Sequence, residues 1–595
     1  MIPKWGQWAC NALFLVGGLM RQLKFTLGKG LAALIAPLLI MTTPVAQASD
    51  HEDGAKATSR ASSKSKAKKT TQLAAAATTT YKVIAWNDLG MHCMDADYSV
   101  FSILPPFNNL KAQVINATTG DLVTSGVNVT FEAVADATGS INSISSTKTN
   151  FWQYAQPLFG VSLPADAGLA GYSTASYTPQ TMTLDSVDSK FYADGIPITP
   201  YDDTFAKNPY PMVKVVARNT SGTLLAETHV VLPVSDEMTC KACHGSNTSA
   251  AAKPTGGWVN DPNPEKDYRR NILKLHDEKQ LSQSVYKSAL RTKGYNRSGL
   301  LPTADAGTPV LCAGCHLSNA LPGSGLPKIR ALTADMHKKH SLVKDPVSGL
   351  PLDSINNRSA CYQCHPGSET KCLRGAMGNV VDTSGNFTIN CQSCHSTMSN
   401  VGSTKRTGWL QQPNCQACHH DGKRETSAVS STGILKVWLD QRFATNPNVP
   451  STGFSLYRFS KGHGNVQCEA CHGSTHAEYP SSHDNDNVQS ISLQGYAGTL
   501  HECTNCHTSV PLTKDGGPHG MHTIGSQWVS SHHDLVPEGQ TSACAYCHGA
   551  DYRGSDLSTV KKARTFQVED KGTVTYAVGQ KVGCYDCHNG PNGGD

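Results

Sequence analysis

The sequence predicts a chain built in two unlike parts. Residues 80–235 read as an all-β, sandwich-like domain, and 236–595 as short helices and loops with little regular secondary structure. Three observations carry this. Runs of β-branched and aromatic residues separated by turn signals fill the first part and stop near 235. Beyond that point hydrophobic periodicity fades, while Gly, Pro, Ser, Asn and His abound. The 595 residues also hold 21 cysteines and 24 histidines, arranged together, against only 38% hydrophobic and 16% charged residues.

Taken from the start, residues 1–48 read as a secretory signal peptide. Of two apolar runs, Ala12–Met20 and Leu31–Met41, neither approaches the roughly 20 residues that cross a bilayer, and Pro37 interrupts the second. The second follows Arg21, Lys24 and Lys29 and precedes Ala46-Gln47-Ala48, the order of charge, apolar core and small-residue cleavage site. The first nineteen residues fit that layout poorly, and Met20 suits it better as a start. Residues 49–79, rich in Ala, Ser and Thr with Lys64, Lys66, Lys68 and Lys69 clustered, read as a flexible linker. These two segments carry an excess of basic residues, so the formal charge of +5 leaves the remainder slightly acidic. A nucleic-acid partner is excluded on that ground, because such a binder concentrates its basic residues on the folded part.

Within 80–235, Tyr81–Trp86, Val127–Val134, Met212–Ala217 and Leu224–Leu232 read as strands, and Asn219-Thr220-Ser221-Gly222 as the turn between the last two. Short strands with turn signals and no helical periodicity suggest a small antiparallel sandwich. The single cysteine here is Cys93, in Met91-His92-Cys93-Met94. That soft-ligand cluster would suit copper or an extra iron, but a packed residue or a disulfide with Cys372 is the plainer reading.

From 236 onwards side chains alone supply too little core, and the cysteines explain why. Each of nine short segments holds two cysteines three apart with a histidine directly after the second. The first four are Cys240, Cys243 and His244; Cys312, Cys315 and His316; Cys361, Cys364 and His365; and Cys391, Cys394 and His395. The middle of the series is Cys415, Cys418 and His419, then Cys468, Cys471 and His472. The last three are Cys503, Cys506 and His507; Cys544, Cys547 and His548; and Cys584, Cys587 and His588.

These nine CxxCH copies use 18 of the 21 cysteines. CxxCH is the attachment signal of c-type haem: two thiols add to the ring's vinyl groups, and the next histidine turns onto the iron. Zinc ribbons pair CxxC units but require no histidine after each second cysteine. Thioredoxin-type pairs occur once per domain. A disulfide scaffold leaves the histidines unexplained. The reading is therefore nine covalently attached haem c groups, whose apolar rings replace the missing core.

On these nine motifs, spanning 240–588, the chain resembles the multihaem c-type cytochromes, particularly the periplasmic and extracellular ones of metal-reducing bacteria. The resemblance implies stacked haems, mostly with two histidine ligands each, passing single electrons. Candidates for the second ligand are His276, His337, His340, His420, His463, His476, His483, His519, His522, His532 and His533. His420 stands out because a CxxCHH residue in the family commonly ligates a neighbouring haem. His501, two residues before its own motif, ranks last, and His92 and His229 read as structural. Met377 reads as packed rather than ligating. Two imidazoles per iron favour the ferric state and low potentials.

The function implied is electron transfer along a chain of nine haems, across the periplasm or to extracellular acceptors, by a carrier rather than an enzyme. The expected partners are other redox proteins, such as periplasmic or outer-membrane cytochromes, with metal oxides or self-assembly as further candidates. The expected location is exported, in the periplasm or at the cell surface. The alternative is a multihaem reductase of a small nitrogen or sulfur oxyanion. It needs one iron with an open position, and no variant motif marks such a site.

Overall fold

The computed structural model describes residues 80–404 and 461–591, apart from 239, 368 and 538. The segments read from the sequence as a signal peptide (1–48) and a linker (49–79) lie outside the described residues. So does the fifth motif, Cys415, Cys418 and His419, with the candidate ligand His420.

The first part contains β1 (Tyr81–Trp86), β2 (His92–Cys93), β3 (Phe101–Ser102), β4 (Asn108–Asn116), β5 (Val127–Ala133), β6 (Gln180–Thr181) and β7 (Thr183–Asp185). It continues with β8 (Lys190–Ile196), β9 (Met212–Asn219), β10 (Leu224–Val231) and β11 (Val234–Ser235). Two four-stranded antiparallel sheets form, in the orders β1-β4-β8-β7 and β10-β9-β5-β6. Their facing residues share one apolar cluster: Val83, Leu110, Ala112 and Val114 from one sheet meet Val129, Phe131, Val213 and Val215 from the other. The period-two alternation of each strand puts these side chains on one face.

The opposite face of β1 and β4 is also buried. Ile84, Trp86 and Ile115 pack with Ala470 and Leu500 of the cysteine-rich part. Gln113 on β4 accepts from the Gln467 N–H at 2.9 Å. The edges of β1 and β10 are bridged by α4 (Asp484–Gln494, numbered with the helices below), where Gln489 Oε1 accepts from Ala85 N–H (2.8 Å) and Thr228 Oγ1 (2.9 Å). Exposed strand edges are thereby covered. A further strand, β12 (Val310–Leu311), enters the second motif and pairs in parallel with β3. Residues 78–595 accordingly group as one compact unit, and packing continues across the 235/236 boundary.

The helices that matter below are α1 (Phe151–Phe159), α2 (Pro264–Gln280), α3 (Leu332–His340), α4 and α5 (Ser526–Leu535). The longest, α2, starts with Pro264 at its first position and Asn263 accepting from Glu265 N–H (2.9 Å) and Lys266 N–H (3.3 Å), a well-capped N-terminus. The other described residues beyond 235 run in further helices, among them Ser284–Lys293 and Leu300–Asp305, in turns, and in the hairpin β13 (Arg564–Val568) with β14 (Gly572–Tyr576). No helix among the described residues is long and apolar enough to cross a membrane.

Candidate metal and cofactor sites

Each described CxxCH segment closes into a single helical turn. The histidine N–H donates to the first cysteine's carbonyl at 2.9–3.1 Å in the motifs ending at His244, His316, His365, His507, His548 and His588. The segments Cys391–His395 and Cys468–His472 are short helices. Residues three and four apart share one helix face, so each turn presents two sulfurs and an imidazole to the same side.

The described motif cysteines are half-buried thiols with no disulfide among them: Cys240, Cys243, Cys312, Cys315, Cys361, Cys364, Cys391, Cys394, Cys468, Cys471, Cys503, Cys506, Cys544, Cys547, Cys584 and Cys587. Burial pushes the Cys240 and Cys506 thiols up to about 11, and those of Cys364 and Cys471 up to about 12. These are neutral thiols. Cys391 departs from the rest. Its thiol is lowered, because it accepts a hydrogen bond from Cys361. Cys394 sits one turn further along the same short helix, directly before His395. In the last motif the Cys587 sulfur lies 3.5 Å from the Tyr576 hydroxyl of β14.

Opposite every described motif histidine stands one histidine from outside the motifs. The ring-centroid separations are 6.2 Å for His244 and His340, 6.5 Å for His316 and His276, and 6.1 Å for His365 and His337. They are 6.1 Å for His395 and His476, 5.8 Å for His472 and His519, and 6.1 Å for His507 and His463. His548 and His522, and His588 and His532, stand 6.0 Å apart. An imidazole–metal bond is about 2.0 Å and a ring centroid lies roughly 1.1 Å behind its nitrogen, so two imidazoles trans on one metal ion have centroids about 6.2 Å apart. All eight pairs fit that spacing. Each pair offers two ligands, and among the described residues no three or more His, Cys, Asp or Glu side chains are arranged to hold a metal ion by themselves. The donor set suits a metal that brings its own equatorial nitrogens.

The second ring nitrogen is held in most pairs. His316 Nδ1 donates to Arg330 O (2.9 Å), His337 to Thr333 O (2.7 Å) and His340 to Met336 O (2.7 Å). His522 donates to Thr523 O (2.8 Å), His532 to Trp528 O (3.0 Å) and His548 to Val582 O (2.7 Å). A carbonyl on Nδ1 fixes that proton and leaves the Nε2 lone pair facing the gap. Burial holds His244 and His476 near 4, and lowers His276 and His365 as well. The neutral imidazole that a metal requires is therefore the form present at neutral pH.

Neighbouring sites lie close enough to influence one another electrostatically. The Cys312 and Cys364 thiols both feel Cys240, and Cys361 hydrogen-bonds Cys391. Cys471 lies by Cys506 and Cys584 by Cys544. One turn of α3 carries both His337 and His340, and so spans the first and third sites. His476, four residues after His472, ties the fourth site to the sixth, and His519 and His522 tie the sixth to the eighth.

The β part forms the wall of two sites. A Cβ added to Gly90 (φ +70°) would come within 3.2 Å of His476 Nδ1, and one on Gly120 (φ +82°) within 2.5 Å of the His507 ring. Only glycine fits both the close approach and the backbone conformation. The Cys372 sulfur lies 3.6 Å from His476 Nδ1. Cys93 and Cys372 do not form a disulfide; both are thiols. Met91 and Met94 point into separate apolar clusters, and His92 Nε2 donates to Pro105 O at 2.8 Å. The residues 91–94 do not converge on one point.

Two of the candidate second ligands, His483 and His533, stand apart from these pairs and face no motif histidine. His483 stacks on Tyr210 at 3.8 Å, and its Nδ1 accepts from Asn485 N–H. His533 is 72% exposed, with Asp534 3.4 Å away, because it lies on the outer side of α5 while His532 turns inward. Both nitrogens of His501 are engaged, by Tyr496 Oη (2.9 Å) and Thr499 O (2.8 Å). The contributions of Gly90, Gly120 and Cys372 have no local sequence signal, because their partners lie far along the chain.

No protein-family model matches the chain, and no curated protein matches it.

Proposed function

We propose that the chain is a multihaem c-type cytochrome that carries single electrons along a row of covalently attached haems. One observation carries the reading: each of the eight described CxxCH histidines faces one partner at the spacing of two imidazoles on a single metal ion. In each site the two cysteines would anchor the ring by thioethers, and the motif histidine and its partner would hold the iron from either side. Haem iron supplies reversible one-electron chemistry between its ferric and ferrous states. The protein's part is to exclude water, keep Nε2 turned inward through the Nδ1 hydrogen bonds, and set the distance from each site to the next. Among the described sites, proximity supports the order second, first, third, fourth, sixth, eighth, ninth, with the seventh beside the sixth. Export belongs to the same proposal, with a redox protein as donor and an external redox partner as acceptor.

Intact mass of the mature protein should show nine haem increments, and its ferric spectrum should be low-spin throughout, with no carbon monoxide binding after reduction. His276→Ala should create binding of about one carbon monoxide per chain, whereas His501→Ala should create none. Colourless protein with eighteen alkylatable motif thiols would overturn the reading. Carbon monoxide binding to the unaltered protein would favour the oxyanion reductase instead.

A further inference from the structure

Five aromatic rings run through the last two sites in unbroken succession: His548, His522, Trp528, His532 and His588. Their consecutive centroid separations are 6.0, 4.0, 5.4 and 6.0 Å. The indole of Trp528 lies face to face on His522, at an interplanar angle of 8°, and leans on His532 at 31°. The two ligand pairs that flank it are close to coplanar, 13° for His522 with His548 and 22° for His532 with His588. Only one other described pair, His337 with His365 at 17°, is so aligned. The remaining five cross at 58–90°.

We propose that Trp528 is a positioning residue shared by these two sites, and that its indole sets the ring plane of His522. The proposal rests on the cytochrome reading and deepens it. The two distal rings are held differently. The His532 Nδ1–H bond goes to the Trp528 backbone carbonyl, so it survives any change of side chain at 528, and the helix itself orients the ring. His522 lies outside α5, and its Nδ1 reaches only the carbonyl of the next residue, Thr523. That single bond leaves the ring free to swing about its axis, and the stacked indole face removes the freedom. Aromatic rings in such contact attract beyond their buried area, which favours the one ring orientation that keeps the two faces together.

The plane of an axial imidazole is readable. In a low-spin ferric haem, coplanar imidazoles separate two of the iron d orbitals and give a rhombic electron paramagnetic resonance spectrum. Crossed imidazoles leave those orbitals nearly degenerate and give a single feature at large g. The ferric protein should therefore show both kinds of signal, with three described sites in the rhombic class. Trp528→Met, which fills the space without a ring face, should move one haem's worth of rhombic intensity towards large g and leave the His532 site in place. Trp528→Phe, which keeps a stacking face, should retain the original spectrum. Intact mass separates this test from that of the underlying reading. Full haem content with a Trp528→Met spectrum superimposable on that of the unaltered protein overturns the assignment of Trp528 alone. A shift of equal size in Trp528→Phe overturns it too, because stacking would then not be the cause. Absence of haem from the unaltered protein removes both proposals.

Discussion

The two parts of this molecule bury apolar surface at very different densities. Residues 80–235 contribute 36 buried hydrophobic side chains, whereas the described residues beyond 235, almost twice as many, contribute 19. In the first part strands alternate, and a cluster built on Phe131, Val213 and Leu110 closes between two sheets. In the second, eight histidine pairs face each other with ring centroids near 6 Å apart, among half-buried thiols. Conformational entropy must be offset in both parts. The contrast teaches that the first part can do so with its own side chains, while on the cytochrome reading proposed above the second does so around groups it acquires.

The sharpest way to break this comparison is to withhold those groups. With serine replacing the cysteines of all the motifs, amides of β4 and β9 should keep their protection in hydrogen exchange, while those of α2, α3 and α5 should exchange at close to unfolded rates. Equal protection in both parts would show that the cysteine-rich part has a sufficient core of its own. The converse change is Phe131→Ala, which opens a cavity in the sandwich and should cost about 3–5 kcal/mol. Its denaturant midpoint should fall while the haem mass increments stay the same.

A third test asks whether the parts are separate at all. Gly120 belongs to the β part, yet the space beside it is taken by the His507 ring. Gly120→Ala forces the ring to move and strains a backbone at φ +82°, so it should alter the signal of one site, that of His507 and His463, and no other. An unchanged ferric spectrum would mean that the loop yields instead of the histidine.

The nine motifs, their first histidines and the strands β1, β5, β9 and β10 can be read directly from residue patterns, because each rests on near neighbours in sequence. Two central strands, β4 and β8, cannot. On β4 the residues Lys111 and Gln113 look solvent-facing, but Lys111 pairs with Asp88 and Asp194, and Gln113 receives the Gln467 N–H. Partners distant in sequence satisfy these polar groups, which hides the strand's burial from a pattern that equates polar with exposed. All eight facing histidines stand among the candidates read from the sequence, but which of them faces which motif is unreadable for a related reason. Partners lie between 26 and 96 residues apart, and nothing local separates His463, which faces His507, from His483, which stacks on Tyr210.

The smallest expected effect concerns histidine chemistry in the β part. His92 is sealed in the β part, and burial lowers it from 6.5 to about 4, so the fold requires it neutral. Its contribution is complete above pH 6.5 and is lost as pH falls from 6.5 towards 4, by about 3 kcal/mol at most. Nearby Asp95 runs the other way: burial raises its carboxyl from 3.8 to about 6. The penalty of keeping that carboxylate charged is full above pH 6 and fades as pH falls towards 3.8. The two contributions nearly cancel, so the denaturant midpoint of the β part should be almost flat between pH 6.5 and 4. His92→Gln, which can keep a bond to the Pro105 carbonyl, removes one side of the balance. Its stability should rise by up to about 3 kcal/mol as pH falls from 6 to 4. A midpoint that falls with pH in this variant would show that Asp95 is ionised at less cost than its burial implies. The sealed part would then hold charge more readily than its apolar surroundings suggest.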